Sequence, residues 1–422
     1  MEAVIEAGNE DALSDTTPTG LGGLQSQIDY FHRVHSVGLK TVQALKIKLN
    51  TPDYNRPQKT FILSDVERLL GISRNTIRDN EIKGNLQYQD WNPANTKKEY
   101  NFNDLKTLRE FFKVGFFNGE VERPTHLQPV ILSVAMLKGG CGKTTTSTNL
   151  AAACSLAGLN TLFVDLDPQA SGTQSFGFIP MIDGTTPASI SSSLCDDPND
   201  IFKIIRPTHY GNLDIITSSL ELQGADLILP NPDLNNSKTL GPALLRLRKA
   251  IALVKNRYDV VIFDCAPAHS TVTLNALAAS NGLLMTITPQ MLTYGSSLLF
   301  ANTMEEYLLS MQDNAKHLGI ADPDKYFRND IFRVLVTADP KDSESRSVTN
   351  FLRRLHGGFV LNHSMVDTIA LKRSQNDLSL LYDIKRAEVR KSKESFDRGI
   401  SSMETVNQEI LDLIKEHWGI AQ

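Results

Sequence analysis

The sequence predicts an α/β fold: a doubly wound, mostly parallel sheet with a smaller helical unit ahead of it. Three observations carry this. From residue 129 onward, short apolar runs alternate with stretches of helical periodicity, the pattern of strands joined by crossover helices. The first run, 129–137, opens into Lys138-Gly139-Gly140-Cys141-Gly142-Lys143-Thr144-Thr145, a glycine-rich turn feeding a helix. Two later runs end in carboxylates, at Asp165 with Asp167 and at Asp264.

In chain order, residues 1–23 are rich in Gly, Thr, Asp and Pro and read as a disordered tail. Residues 24–50 form an expected helix whose stripe is Leu24, Ile28, Phe31, Val34, Val37, Val42, Leu45 and Leu49. That stripe suits packing on its own domain or pairing with a second copy in a dimer. Residues 51–122 follow as a separate small domain, entered through a linker with prolines at 52 and 57. Ser64 with Glu67 reads as a capping box that starts a helix to Leu70. Gly71 turns the chain, and Ser73 caps a second helix over Arg74–Asn80. Helix, glycine turn, helix is the helix-turn-helix arrangement, whose second helix enters the major groove. Arg74 and Arg78 suit guanine edges or phosphate and Asn75 suits adenine. Residues 85–98 read as a hairpin wing before a helix at 103–112, making a winged helix-turn-helix. Its expected DNA contacts are Ser73, Arg74, Asn75, Thr76, Arg78 and Lys97.

Residues 123–422 form the α/β unit. Strands are expected near 130–137, 161–165, 213–217, 258–264, 283–288, 331–337 and 358–362. Helices are expected at 144–157, 239–256, 271–280, 295–311, 344–356, 376–390 and 402–418, with loops at 179–200 and 230–238.

In the glycine-rich turn, the backbone N–H groups of 139–145 converge on one point and the following helix adds its positive end, which together hold phosphate. Lys143 reaches the β- and γ-phosphates and Thr144 ligates Mg²⁺. The spacing is one residue shorter than the general phosphate loop, so the compact form with two lysines applies. Lys138 is surplus within one subunit and suggests a nucleotide shared between two. Carboxylates at the carboxyl ends of parallel strands sit beside such a site. Asp264 is expected to hold a metal-bound water. Asp167 is expected to orient the attacking water, with Asp165 supporting it.

Composition agrees with a soluble globular protein: 41% hydrophobic, 22% charged, net charge −5. The four cysteines (141, 154, 195 and 265) form no Cys-x-x-Cys pair, which argues for a reducing compartment and against a zinc or disulfide framework. No apolar stretch approaches membrane-spanning length, and the acidic first ten residues do not read as a secretory signal. Residues 351–400 hold ten Lys/Arg against six Asp/Glu, a basic region on an acidic chain that could track phosphates. On charge alone, a solvated helix face laced with ion pairs is the stronger reading. The last expected helix has an apolar face (Met403, Val406, Ile410, Leu413, Ile414, Trp418) opposite an acidic one. A membrane-surface helix needs a basic polar face.

The two-lysine loop, Val164-Asp-Leu-Asp-Pro-Gln169, Asn212-Leu-Asp-Ile-Ile216 and Phe263-Asp-Cys-Ala-Pro267 resemble the ParA/MinD group of phosphate-loop ATPases with a deviant Walker A sequence. Asp167-Pro-Gln-Ala-Ser-Gly172 points to the ParA branch, the DNA-partition ATPases, over roughly 129–415. The helix-turn-helix, with Leu70-Gly-Ile-Ser-Arg-Asn-Thr-Ile-Arg-Asp79, resembles a MerR-type winged helix, a domain that large ParA proteins carry. The resemblance implies a cytoplasmic, nucleoid-associated bacterial protein in plasmid or chromosome segregation. It implies an ATP-sandwich homodimer with Mg²⁺, in which Lys138 touches the partner's nucleotide. It further implies slow hydrolysis stimulated by a ParB-type partner and by DNA, non-specific DNA binding by the dimer, and repression of the partition operon through the N-terminal domain. Filaments on DNA are left open. The adenine falls near Pro289, and Lys372 and Arg373, with Arg346, become the candidate non-specific DNA contacts. A nucleotide-sensing transcription factor and a MinD-like positioning ATPase are the alternatives.

Overall fold

The computed structural model describes residues 57–88, 99–179 and 189–420. Short gaps fall at 232, 235–236, 316, 318, 327–328, 339–341, 377, 387–388 and 390–392. Ahead of these, His32, Arg33, Val34, Ser36, Gly38 and Lys40 are helical, and the rest of the expected helix over 24–50 lies outside the described residues.

The helical unit begins with α1, Leu63–Leu70. Its cap differs from the expected one. Ser64 lies inside the helix, and the Asp65 carboxylate accepts from the Ile62 N–H at 3.2 Å. Glu67 instead reaches across the turn to Arg74, 2.8 Å away. The helix starts earlier because Leu63 packs on the core, which puts Asp65 rather than Glu67 at the third helical position. Gly71 closes α1 in the left-handed region, φ +67°. Ser73 caps α2, Arg74–Ile82, its hydroxyl accepting from the Thr76 N–H at 3.1 Å. Tyr100 returns antiparallel to Phe61, and α3, Phe102–Phe112, follows under an Asn101 cap.

The α/β unit contains β1 (Val130–Ala135), α4 (Lys143–Leu156), β2 (Thr161–Leu166), α5 (Ser171–Ser175), β3 (Ile205–Pro207), β4 (Leu213–Ile216), α6 (Arg246–Val254), β5 (Val260–Cys265), α7 (Thr271–Ala279) and β6 (Gly282–Ile287). It continues with α8 (Met291–Asn314), β7 (Ile331–Val336), α9 (Ser343–His356), α10 (Ile369–Asn376) and α11 (Lys393–His417). The strand order is β3-β4-β2-β5-β1-β6-β7. Every pairing is parallel except β3 with β4. The strands β2, β5 and β6 are buried along their whole length, as strands covered by helices on both faces must be.

Several expected elements change. Residues 358–362 form no strand: a 3₁₀ turn at Gly357–Phe359 is followed by a single bridge, Val334 to Val360. The expected helix 376–390 is absent among the described residues, where a 3₁₀ turn at Leu381–Asp383 stands instead, and α10 lies earlier. Leu380 and Leu381 are buried in the hydrophobic core that also contains the apolar residues of α11. The expected helix 239–256 is broken by Gly241, φ +83°, and Pro242, and resumes at Arg246. Short helices occupy Ser191–Cys195 and Ser237–Leu240, where loops were expected. The edge strand β3 has only three residues and ends on a proline, too short for a periodic signal.

The helical unit shares one hydrophobic core with the sheet. Phe102 packs on Tyr210, and a Cβ on Gly211 would stand 2.8 Å from the Phe102 Cβ. Phe116 and Phe117 pack on Trp418 of the C-terminal segment. The apolar face of α11 is buried, and Asn407 on it donates to the Asn149 carbonyl of α4 at 3.3 Å. Among the described residues no helix is long and apolar enough to cross a membrane.

Candidate nucleotide site and nucleic-acid interface

The strand order sets the site. β5 lies between β2 and β1, so Asp264 registers beside Asp165 on one side and Val134 on the other. The glycine-rich turn leaves β1 at this same carboxyl edge. Gly140 and Gly142 take left-handed φ values of +72° and +86°, and α4 begins at Lys143 with no side-chain cap. Its first N–H groups are thereby left to a ligand. Lys143 is only 6% exposed, and its ammonium donates to the Lys138 carbonyl at 2.9 Å. Cys141 is buried, its sulfur 3.2 Å from the Thr286 hydroxyl. A cavity of about 340 Å³ opens over the turn, lined by Gly139, Gly140, Gly142, Lys143, Thr144, Thr145 and Asp167 among others.

The carboxylates divide the work. Asp165 is fully buried and occupied. One oxygen accepts from the Asp167 N–H at 3.0 Å, the other from the N–H and hydroxyl of Thr173, both at 2.7 Å. It holds the 167–173 loop against the sheet. Asp167 lines the cavity, one oxygen accepting from the Gln169 N–H at 2.9 Å. Asp264 is completely buried, and neither of its oxygens makes a hydrogen bond of ordinary geometry among the described residues, although the Thr144 and Ser147 hydroxyls lie close enough to act on it. Burial, and then the neighbouring Asp165 charge, raise its pKa, against the pull of the Thr144 and Ser147 hydroxyls. Burial likewise raises Asp165. A buried carboxylate without partners is costly unless a cation or proton joins it.

Pro289 is buried just beyond β6, at the same edge, but does not line the cavity. Two contributors carried no sequence signal: Thr173, which clamps Asp165, and Met365. The Met365 methyl would stand 2.7 Å from a Cβ on Gly142, and its sulfur accepts from the Thr146 hydroxyl at 3.7 Å. Met365 leads into α10, the helix that carries Lys372 and Arg373 and packs against α5 beside the cavity. The side chains of Lys372 and Arg373 lie outside the described residues, as do Lys97 and residues 89–98 of the expected wing. Arg346 is exposed in the first turn of α9.

In the helical unit, Arg74 and Asn75 face outward, with the Arg74 side chain 59% exposed. Ser73 and Thr76 are engaged in the cap, their hydroxyls 2.8 Å apart. Arg78 turns back along α2 to Glu81, 3.1 Å away.

A family model described as an AAA domain matches residues 130–315. A chromosome partitioning protein ParA of Myxococcus xanthus is 32% identical over 233 residues, 51% of this chain and 78% of that protein. The chain belongs to the ParA family. A putative replication protein A of Sinorhizobium fredii is 29% identical over 389 residues, 90% of this chain and 92% of that one. The likeness to that protein therefore runs through the helical unit as well as the sheet. Among solved structures, one described as a partition protein superposes with a TM-score of 0.62 over 92% of this chain and 99% of its own, at 18% identity. An ATP complex of a Cyanothece McdA variant gives 0.52 over 70% of this chain and 98% of its own, at 19% identity. At such identity these two establish the fold, the α/β phosphate-loop architecture.

Proposed function

We propose that this chain is a DNA-partition ATPase that closes two copies of itself around ATP and Mg²⁺. One observation carries the reading. A completely buried Asp264, whose oxygens make no hydrogen bond of ordinary geometry, stands at the carboxyl edge beside the start of α4, where the amide cradle is flanked by Lys138 and Lys143. A hard cation with oxygen ligands answers that carboxylate, and a triphosphate answers the cradle. The ATP complex of the McdA relative of this fold supports the choice of nucleotide.

Thr144 and, through a water, Asp264 would hold Mg²⁺, which would neutralise charge on the β- and γ-phosphates. The amides of 139–145 and Lys143 would bind the phosphates, and Pro289 would border the adenine. Asp167 has the oxygen not taken by Gln169 available to orient the attacking water, and Asp165 keeps its loop in place. Lys138 would reach the nucleotide of the second protomer. Phosphoryl transfer needs this positioning and charge more than any covalent group.

The closed dimer would bind DNA non-specifically through α10, with Lys372 and Arg373, and through Arg346. A ParB-type partner and DNA would stimulate an otherwise slow hydrolysis and release it. The helical unit would bind operator DNA with Arg74 and Asn75 and repress the partition operon. The protein would work on the bacterial nucleoid, since the apolar face of α11 is spent on the core rather than offered to a membrane.

Retention of random-sequence duplex, measured with ATP and with ADP across a salt series, tests this. Wild type should retain duplex only with ATP and lose it steeply with salt. Lys143→Gln should abolish the ATP dependence, and undiminished retention would contradict the mechanism. Lys138→Gln should bind nucleotide but stay monomeric in sedimentation with ATP.

A further inference from the structure

The helical unit contains a buried carboxyl group that the proposed function does not use. Glu81 lies near the end of α2, its side chain only 3% exposed. One oxygen accepts from the phenols of Tyr88, at 3.0 Å, and Tyr100, at 2.7 Å. The other accepts from the Arg78 guanidinium at 3.1 Å. Tyr88 and Tyr100 flank residues 89–98 on either side, and the two rings meet edge to face at 5.9 Å. Tyr100 also exchanges both backbone hydrogen bonds with Phe61, at 2.8 Å each, immediately ahead of α1.

One carboxylate therefore joins four places: α2, both ends of the 89–98 segment, and the approach to α1. A buried charge is tolerated when it is paired and its remaining lone pairs are satisfied. Arg78 supplies the pairing and the two phenols supply the rest. The Arg78 side chain is 28% exposed, against 59% for Arg74, because its guanidinium is drawn back along the helix toward Glu81.

We propose that Glu81 is a positioning residue for sequence reading, fixing α2 relative to Tyr88 and Tyr100 on either side of residues 89–98. Arg78 serves as its counter-ion and contacts neither base nor phosphate. This rests on α2 being the DNA-reading helix. Sequence discrimination then falls to Arg74 and Asn75, and Arg78 and Glu81 act as one unit.

The test uses the full chain and a duplex enriched from a random pool by the wild type. Affinity for that duplex and for random duplex is measured over a salt series. Arg74→Ala should lower the salt slope by about one or relax preference at a single base position. Arg78→Ala should weaken the enriched duplex about ten-fold with the salt slope unchanged and no single position relaxed. Glu81→Gln, which keeps oxygen and nitrogen in the shape of the carboxylate, should do the same, and the double variant should be no worse than either alone. ATP-dependent retention of random duplex should stay at wild-type level in all three, which a general loss of folding would not allow. A slope change of about one, or one relaxed base position, for Arg78→Ala overturns the proposal, as do additive losses in the double variant. If no sequence is enriched, or Arg74→Ala and Asn75→Ala leave binding unchanged, the reading of α2 itself fails and the proposal goes with it.

Discussion

The Arg109 guanidinium of α3 donates to the Leu156 carbonyl at the end of α4, 2.6 Å away, and lies against Gly158. The residue is 4% exposed, and burial lowers its pKa to about 10. α4 begins at the glycine-rich turn and ends on this contact, so one helix spans from the proposed nucleotide site to the helical unit. A cation at a helix C-terminus is favoured by the dipole and by the unsatisfied carbonyls there.

Arg109→Ala should therefore cost roughly 1.5–3 kcal/mol, the usual range for a hydrogen bond to a charged group. In calorimetry the wild type should unfold with its helical unit and sheet together, because they share a core. The variant should show a lower, broader or split transition. A single unshifted transition would show that the contact is not holding the two parts.

Asp264 makes stability depend on pH in the opposite direction from most carboxylates. Its pKa in the folded chain is raised above that of the unfolded one, so the folded state binds the proton more tightly. The stability this contributes is full below the ordinary value of about 4 and is lost as pH rises through the raised folded value. Without nucleotide or divalent cation, the melting temperature should fall as pH increases across that window. Asp264→Asn should flatten the slope and stabilise the nucleotide-free protein at neutral pH by roughly 1–3 kcal/mol, since it removes an unpaired buried charge. The same variant should gain no thermal stability from MgATP. A steeper slope in the variant would reverse the assignment.

Gly142 has no room for a side chain and no tolerance for one. Its φ of +86° and the Met365 methyl, 2.7 Å from where a Cβ would stand, act together. Gly142→Ala should cost roughly 1–3 kcal/mol in backbone strain and abolish binding of a fluorescent ATP analogue. Adding Met365→Ala removes the clash but leaves the strain, so nucleotide binding should stay lost. Restoration by the second change would mean that crowding alone decides the position.

Much of the site was legible because its signals are local. The turn at 138–145 needs glycines where the chain goes left-handed, and the structure places Gly140 and Gly142 there, with α4 starting at Lys143. Ser73 as the α2 cap follows from the same locality. The α1 cap went to Asp65 rather than Glu67 because the start of the helix was fixed by packing of Leu63 on a distant core. The expected helix 376–390 failed similarly, since that segment is shaped by what lies over it.

By itself the sequence determined the chemistry available: which residues can cradle phosphate, which strands end in carboxylates, and which helix pair carries outward arginine and asparagine. The tertiary structure alone decided how those groups divide their roles. Strand order brought Asp264 beside Asp165, where burial leaves one carboxylate without a hydrogen bond of ordinary geometry and Thr173 and the 167 amide consume the other. It also turned Arg78 inward to Glu81 and laid Met365 against Gly142 across more than two hundred residues of chain. Such partners meet only once the chain has collapsed. Neither hydrophobic period nor loop spacing encodes which distant polar atom will be left without water.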